Sequence, residues 1–91
     1  MLFDWDKEKA RTNLRDHKVS FQEAATVFGN PLSETFDDPD HSIAERRFII
    51  IGHSETGRLL FISHMDDGEM VRIISAREVT SAERKQYEQG F

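Results

Sequence analysis

Apolar residues at Phe21, Ala24, Ala25 and Phe28 recur at helical spacing within VSFQEAATVFG. Ser20 and Glu23 form a capping box at the start of this segment, with Val19 at the staple position. Gly29, Asn30 and Pro31 stop the helix. Upstream, Asp6 is a good N-cap for a helix over residues 7–16, closed by His17 and Lys18. Ala10 and Leu14 are four apart and are its expected inward positions, with Trp5 or Phe3 packing near the start. Residues 2–5 alternate and read as a short edge strand.

The period then changes from helix to strand. Residues 32–36 read as a short strand, followed by an acidic turn through Asp37, Asp38, Pro39, Asp40 and His41. Residues 46–52 contain the continuous run FIII, which suits a central strand. Residues 58–65 and 69–77 follow, separated by a turn around Thr56-Gly57 and by Asp66-Asp67-Gly68. Three consecutive runs joined by short turns predict an antiparallel meander. Thr80 and Glu83 make a second capping box, opening a helix to about residue 89 whose main apolar anchor is Tyr87. The expected fold is α+β: one domain over residues 1–91, an antiparallel β-sheet meander with two N-terminal helices and a C-terminal helix, the helices on one face.

Strict alternation along residues 70–77 places Val71, Ile73, Ser75 and Arg77 on one face. Met70, Arg72, Ile74 and Ala76 then fall on the other. An arginine in mid-strand, as Arg72 is, needs an open face or an acidic partner. Arg46 and Arg47 introduce one strand and Arg58 heads the next, so Arg47, Arg58 and Arg77 are candidates to converge at the strand ends.

Net charge is −5, which argues against a simple non-specific nucleic-acid binder. The acidity is local, however. Residues 19–45 hold six acids and no Lys or Arg, whereas residues 46–91 hold seven of each sign, six of the seven cations being arginine. Arginine favours bidentate contacts with phosphate or carboxylate. There is no cysteine, which removes disulfides and thiolate chemistry. No histidine pair has metal-ligand spacing and no Gly-rich phosphate loop occurs, so neither metal nor cofactor is expected. The start, MLFDWDKEKA, lacks the pattern of a signal peptide, and no apolar run is long enough to span a membrane, which points to the cytoplasm.

Arginines with a histidine suit cleavage of RNA. The 2′-hydroxyl is the nucleophile, so the protein need supply only a base, an acid and positive charge for the phosphate. The helix over residues 7–16 contributes Lys9, Asn13 and His17 at steps of four, a stripe at the margin of its buried face. These three are either a working face or a brace and a C-terminal cap, and spacing does not decide between them. Arg72 and Arg77 are the candidate phosphate ligands, with Arg47 and Arg58 nearby. Lys9 or His17 is the candidate for proton transfer, and Glu45 a base or an orienter of arginine.

The motif W-D-x-x-K-x-x-x-N-x-x-x-H-x-V-S-F near the start, ERR before a strand, and RIISAR followed by E-R-x-x-Y resemble the BrnT family. That resemblance covers nearly the whole chain. It implies a RelE-like fold and a ribonuclease toxin that blocks translation. It also implies a BrnA-like antitoxin partner whose DNA-binding part represses the operon, two toxins associating with two antitoxins. The family pattern includes Lys9, Asn13, His17 and Glu45. It continues through Arg47, Arg58, Arg72 and Arg77 to Glu83 and Tyr87. An alternative reading of the same arginines is a non-catalytic module that holds acidic residues of a DNA-binding partner.

Overall fold

The computed structural model describes residues 1–38 and 46–90. Its elements are β1 (Leu2–Asp4), α1 (Lys7–His17), α2 (Phe21–Thr26), a 3-10 turn (Val27–Gly29), β2 (Glu34–Asp37), β3 (Arg47–His53), β4 (Leu59–Asp66), β5 (Met70–Glu78) and α3 (Ser81–Gln89). The helix starts are those written in the sequence. Asp6 accepts from the amides of Glu8 and Lys9, and Ser20 from that of Glu23. The left-handed Lys18, φ 60°, closes α1.

Five strands form one sheet in the order β1-β5-β4-β3-β2. The meander β2 to β5 is antiparallel, as expected. Pairing differs at one edge: β1 runs parallel to β5, with Asp4 opposite Arg72. Two helices and the strands β2 to β4 separate this pair in sequence, which gives the chain the long connection that a parallel pair requires.

The core lies between the sheet and the first two helices. Val19, Phe21, Ala24 and Val27 pack on Ile50, Leu60, Ile62, Val71, Ile73 and Ala76. Trp5 meets Phe21 edge-on at 5.9 Å. Burying a side chain such as Phe21 contributes roughly 1.5–3 kcal/mol.

Two expectations about the helices are corrected. In α1 the buried residue is Asn13, and Leu14, expected inward, is 51% exposed. Asn13 can be buried because every bond of its carboxamide goes to backbone, described below. Nor do all helices share one face. α3 reaches the opposite side of the sheet, where Tyr87 packs against His53 at 6.0 Å and donates its hydroxyl to the Leu32 carbonyl at 2.7 Å. A helix with no buried residue is held by such side-chain ties and not by an apolar stripe.

Candidate active site

A β-bulge in β5 decides which residues share a surface. Ser75 pairs with Ser63, but Ile73 pairs with His64, so Ile74 has no opposite number. The extra residue resets the alternation. Val71, Ile73 and Ala76 consequently all enter the core, although strict alternation would send Ala76 away from the other two. Arg72 and Arg77, expected on opposite faces, therefore share the face turned away from α1 and α2. One transverse row on that face reads Arg47, Met65, Arg72, Asp4, and another reads Ile51, Phe61, Arg77. Arg47 and Arg72 stand two strand spacings apart, roughly 10 Å, and Arg72 and Arg77 roughly 15 Å along the strand.

Each arginine of β5 has a carboxylate beside it. Arg72 forms an ion pair with Asp4, its cross-strand neighbour, and both are about half exposed. Beside this pair runs a groove of about 380 Å³ whose other lining residues are Arg46, Met65, Met70 and the acidic Asp66 and Asp67. Arg77 lies over the Phe61 ring at 4.1 Å and is gripped by both oxygens of Glu83 at 2.8 and 3.0 Å. The Arg77 guanidinium, aided by the Thr80 amide, holds the Glu83 carboxyl down at about 2. Glu83 thus does double duty. It completes the Thr80 capping box of α3 and anchors an arginine of the sheet.

The polar stripe of α1 faces the edge of β5 beyond the end of β1. Asn13 there replaces a strand: its oxygen accepts from the Ala76 amide at 3.0 Å, and its nitrogen donates to the Ala76 carbonyl at 2.8 Å and the Val19 carbonyl at 2.9 Å. Lys9 and His17, one turn to either side, line a groove of about 300 Å³ whose other wall is Ile74 and Ser75 of the bulge. Asn13 is the brace. Lys9 and His17 stand exposed on the α1 side of β5, whereas Arg72 and Arg77 lie on the face turned away from α1.

Arg58 does not join Arg47 and Arg77, and the convergence expected of these three does not form. It lies on the side of α2, where Glu23 takes its Nε at 3.0 Å and its Nη2, and Lys18 accepts through its carbonyl at 2.9 Å. The Ser54 and Thr56 hydroxyls complete the shell of Glu23 at 2.7 and 2.6 Å. Arg58 before all else, with burial opposing, brings the Glu23 carboxyl to about 2. This also corrects the first capping box. Ser20 accepts from the Glu23 amide, but the Glu23 carboxylate turns to Arg58. Glu45 lies outside the described residues.

Three contacts of this surface were not legible in the sequence. Asp4 is paired only through the parallel register of β1. Phe61 is a platform only through its register with Arg77. Glu83 was visible as a cap, and its six-residue separation from Arg77 was the available signal that strand and helix would meet.

Among the described residues, no helix is long and apolar enough to cross a membrane, and no three His, Asp or Glu side chains gather as a metal site. The cations on the face shared with α3 are instead guanidiniums, which suit phosphate.

No curated protein matches the chain. Among solved structures, the crystal structure of the Brucella abortus ribonuclease toxin BrnT is similar, with a TM-score of 0.67 and 20% identity over 89% of this chain and all of that one. At that identity the likeness speaks for the fold. A family model described as the ribonuclease toxin BrnT of type II toxin–antitoxin systems matches residues 5–83, spanning both helices of the core, the whole sheet from β2 to β5 and the Glu83 anchor. By that match the chain belongs to the BrnT family of ribonuclease toxins.

Proposed function

We propose that this chain is a metal-independent endoribonuclease whose working surface is the face of β5 that carries Arg72 and Arg77, together with the α1 groove at the edge of that strand. The observation that carries this reading is the bulge at Ile74, which turns Arg72 and Arg77 to one side of the sheet. A polynucleotide lying along β5 meets both guanidiniums, with Arg47 in the row of Arg72. The substrate's 2′-hydroxyl attacks the adjacent phosphorus and loses its proton to a base. The bond to the 5′-oxygen breaks, and an acid protonates that oxygen, leaving a cyclic 2′,3′-phosphate. His17 and Lys9 are the proton carriers on the α1 side, and Glu45 is a further candidate as base or orienter. Arg72 and Arg77 stabilise the charge that builds on the phosphate oxygens. Asp4 leaves Arg72 as phosphate arrives, an exchange that costs little because the pair is exposed. Guanidiniums supply the positive charge, which is the reason for proposing catalysis without a metal.

Cleavage of cellular RNA would inhibit translation in the cytoplasm. The partner proposed is a BrnA-like antitoxin, two copies with two toxins, through which alone the toxin reaches operator DNA. A second reading has one observation in its favour. Arg72 already donates to a carboxylate, that of Asp4, as it would donate to one from an acidic segment of a DNA-binding partner. Incubating the purified chain with RNA, with and without a chelator, separates the two. Cleavage that persists with chelator and is lost in Arg72→Ala and Arg77→Ala supports the ribonuclease. No cleavage at any dose, or full toxicity of both folded variants in cells lacking antitoxin, overturns it.

A further inference from the structure

Arginine carries five N–H donors in one rigid plane. At Arg77 three are engaged: Nη1 donates to Glu83 at 2.8 Å and to the Glu78 carbonyl at 3.2 Å, and Nη2 donates to Glu83 at 3.0 Å. The remaining two, the Nε–H and the second hydrogen of Nη2, have no partner among the described residues. They lie on the same edge of the guanidinium, where parallel donors match two oxygens of a phosphate. Arg58 supplies the contrast. Its Nε and Nη2 both donate to Glu23, so the corresponding edge is filled.

What holds Arg77 in this attitude is itself held. The Glu83 carboxylate accepts from the Thr80 amide at 2.9 Å, and the Thr80 hydroxyl accepts from the Glu83 amide at 3.2 Å. Phe61 covers one face of the guanidinium. Rotation of Arg77 would break a bidentate ion pair and leave an aromatic face, so the open edge has one preferred direction.

We infer that Glu83 is a positioning residue for RNA cleavage: by taking the far end of Arg77 it turns the Nε–H/Nη2–H edge toward the scissile phosphate. The inference rests on the ribonuclease reading above and adds to it the device that orients one of its arginines. It also gives α3 a role in the reaction, because Glu83 lies in the first turn of that helix.

The test is a cycle of Arg77→Ala, Glu83→Gln and the double variant, with Glu83→Asp as the conservative change. Glutamine keeps one acceptor but sets an N–H donor against the second Nη of Arg77. Glu83→Gln is expected to lower kcat about tenfold or more while KM moves less. Glu83→Asp should restore part of the loss, and Glu83→Gln should cost nothing further when Arg77 is already alanine. Equal losses in both backgrounds, or wild-type cleavage by Glu83→Gln where Arg77→Ala is impaired, would overturn the inference and leave the ribonuclease reading intact. A second readout does not depend on turnover. In ¹⁵N NMR the Arg77 Nε–H signal should shift when 2′-O-methyl RNA, which cannot be cleaved, is added to wild type, and should not in Glu83→Gln. No shift in wild type overturns the inference. A shift in a chain that cleaves no RNA sinks the ribonuclease reading and with it the role of Glu83 in cleavage, leaving only the orientation of Arg77 toward a bound phosphate.

Discussion

Asn13 exchanges two hydrogen bonds with the backbone of Ala76, its oxygen accepting from the amide and its nitrogen donating to the carbonyl. One side chain thereby continues the sheet past the end of β1 and ties α1 to β5. The same bonds hold the groove with Lys9 and His17 against the bulge.

Replacing Asn13 with alanine strips partners from the amide of Ala76 and from the carbonyls of Ala76 and Val19, all at a buried site. The expected loss is about 3 kcal/mol, read from the midpoint and slope of urea unfolding. Loss near zero would mean that water replaces the carboxamide.

Arg58 and Arg72 should separate stability from activity. Arg58→Ala leaves the Glu23 carboxylate half-buried without its guanidinium, at a cost of about 2–3 kcal/mol, with RNA cleavage per folded molecule kept. Arg72→Ala, at an exposed pair, should unfold within about 1 kcal/mol of wild type and lose cleavage. Unfolding and cleavage measured on the same preparations check both halves, and the reverse pattern would relocate the site.

Acid should weaken the fold through two carboxylates. Glu23 and Glu83 both titrate at about 2 in the folded chain, below their ordinary 4.5, so the unfolded chain binds protons more readily. Their stabilisation is fully present above about pH 5 and is lost as pH falls from about 4.5 toward 2. After allowance for solvent screening, about 2 kcal/mol should disappear per group over that window. Denaturation at stepped pH values should show a shallower slope for Glu23→Gln than for wild type, and parallel slopes would refute this source of acid sensitivity.

Gly52 is fixed by space. A Cβ there would come within 2.7 Å of the Ser33 Cβ and 3.1 Å of the Val27 Cγ1. Gly52→Ala is expected to cost about 1–3 kcal/mol, because backbone on one side and packed Val27 on the other must move. Thermal unfolding would reveal it as a lowered Tm, and an unchanged Tm would show that the chain after the 3-10 turn shifts freely.

The sequence by itself determined the local elements, because their causes are local. Caps at Asp6, Ser20 and Thr80 fix where helices begin, and the turns at Thr56-Gly57 and Asp67-Gly68 fix where strands reverse. Motif resemblance also placed the chain among ribonuclease toxins, and the family match agrees. Tertiary structure alone decided which residues face one another. A bulge at Ile74 leaves no mark in the pattern of apolar residues, yet it moves Ala76 into the core and Arg77 to the side of Arg72. The parallel seat of β1 gives Arg72 its carboxylate, and nothing in residues 2–4 announces that register. Asn13 was legible as polar and Leu14 as apolar. Which of them enters the protein was settled by an unpaired stretch of backbone at Ala76 that only a carboxamide can satisfy. Hydrogen-bond demand of this kind arises between segments 63 residues apart, out of reach of any local period.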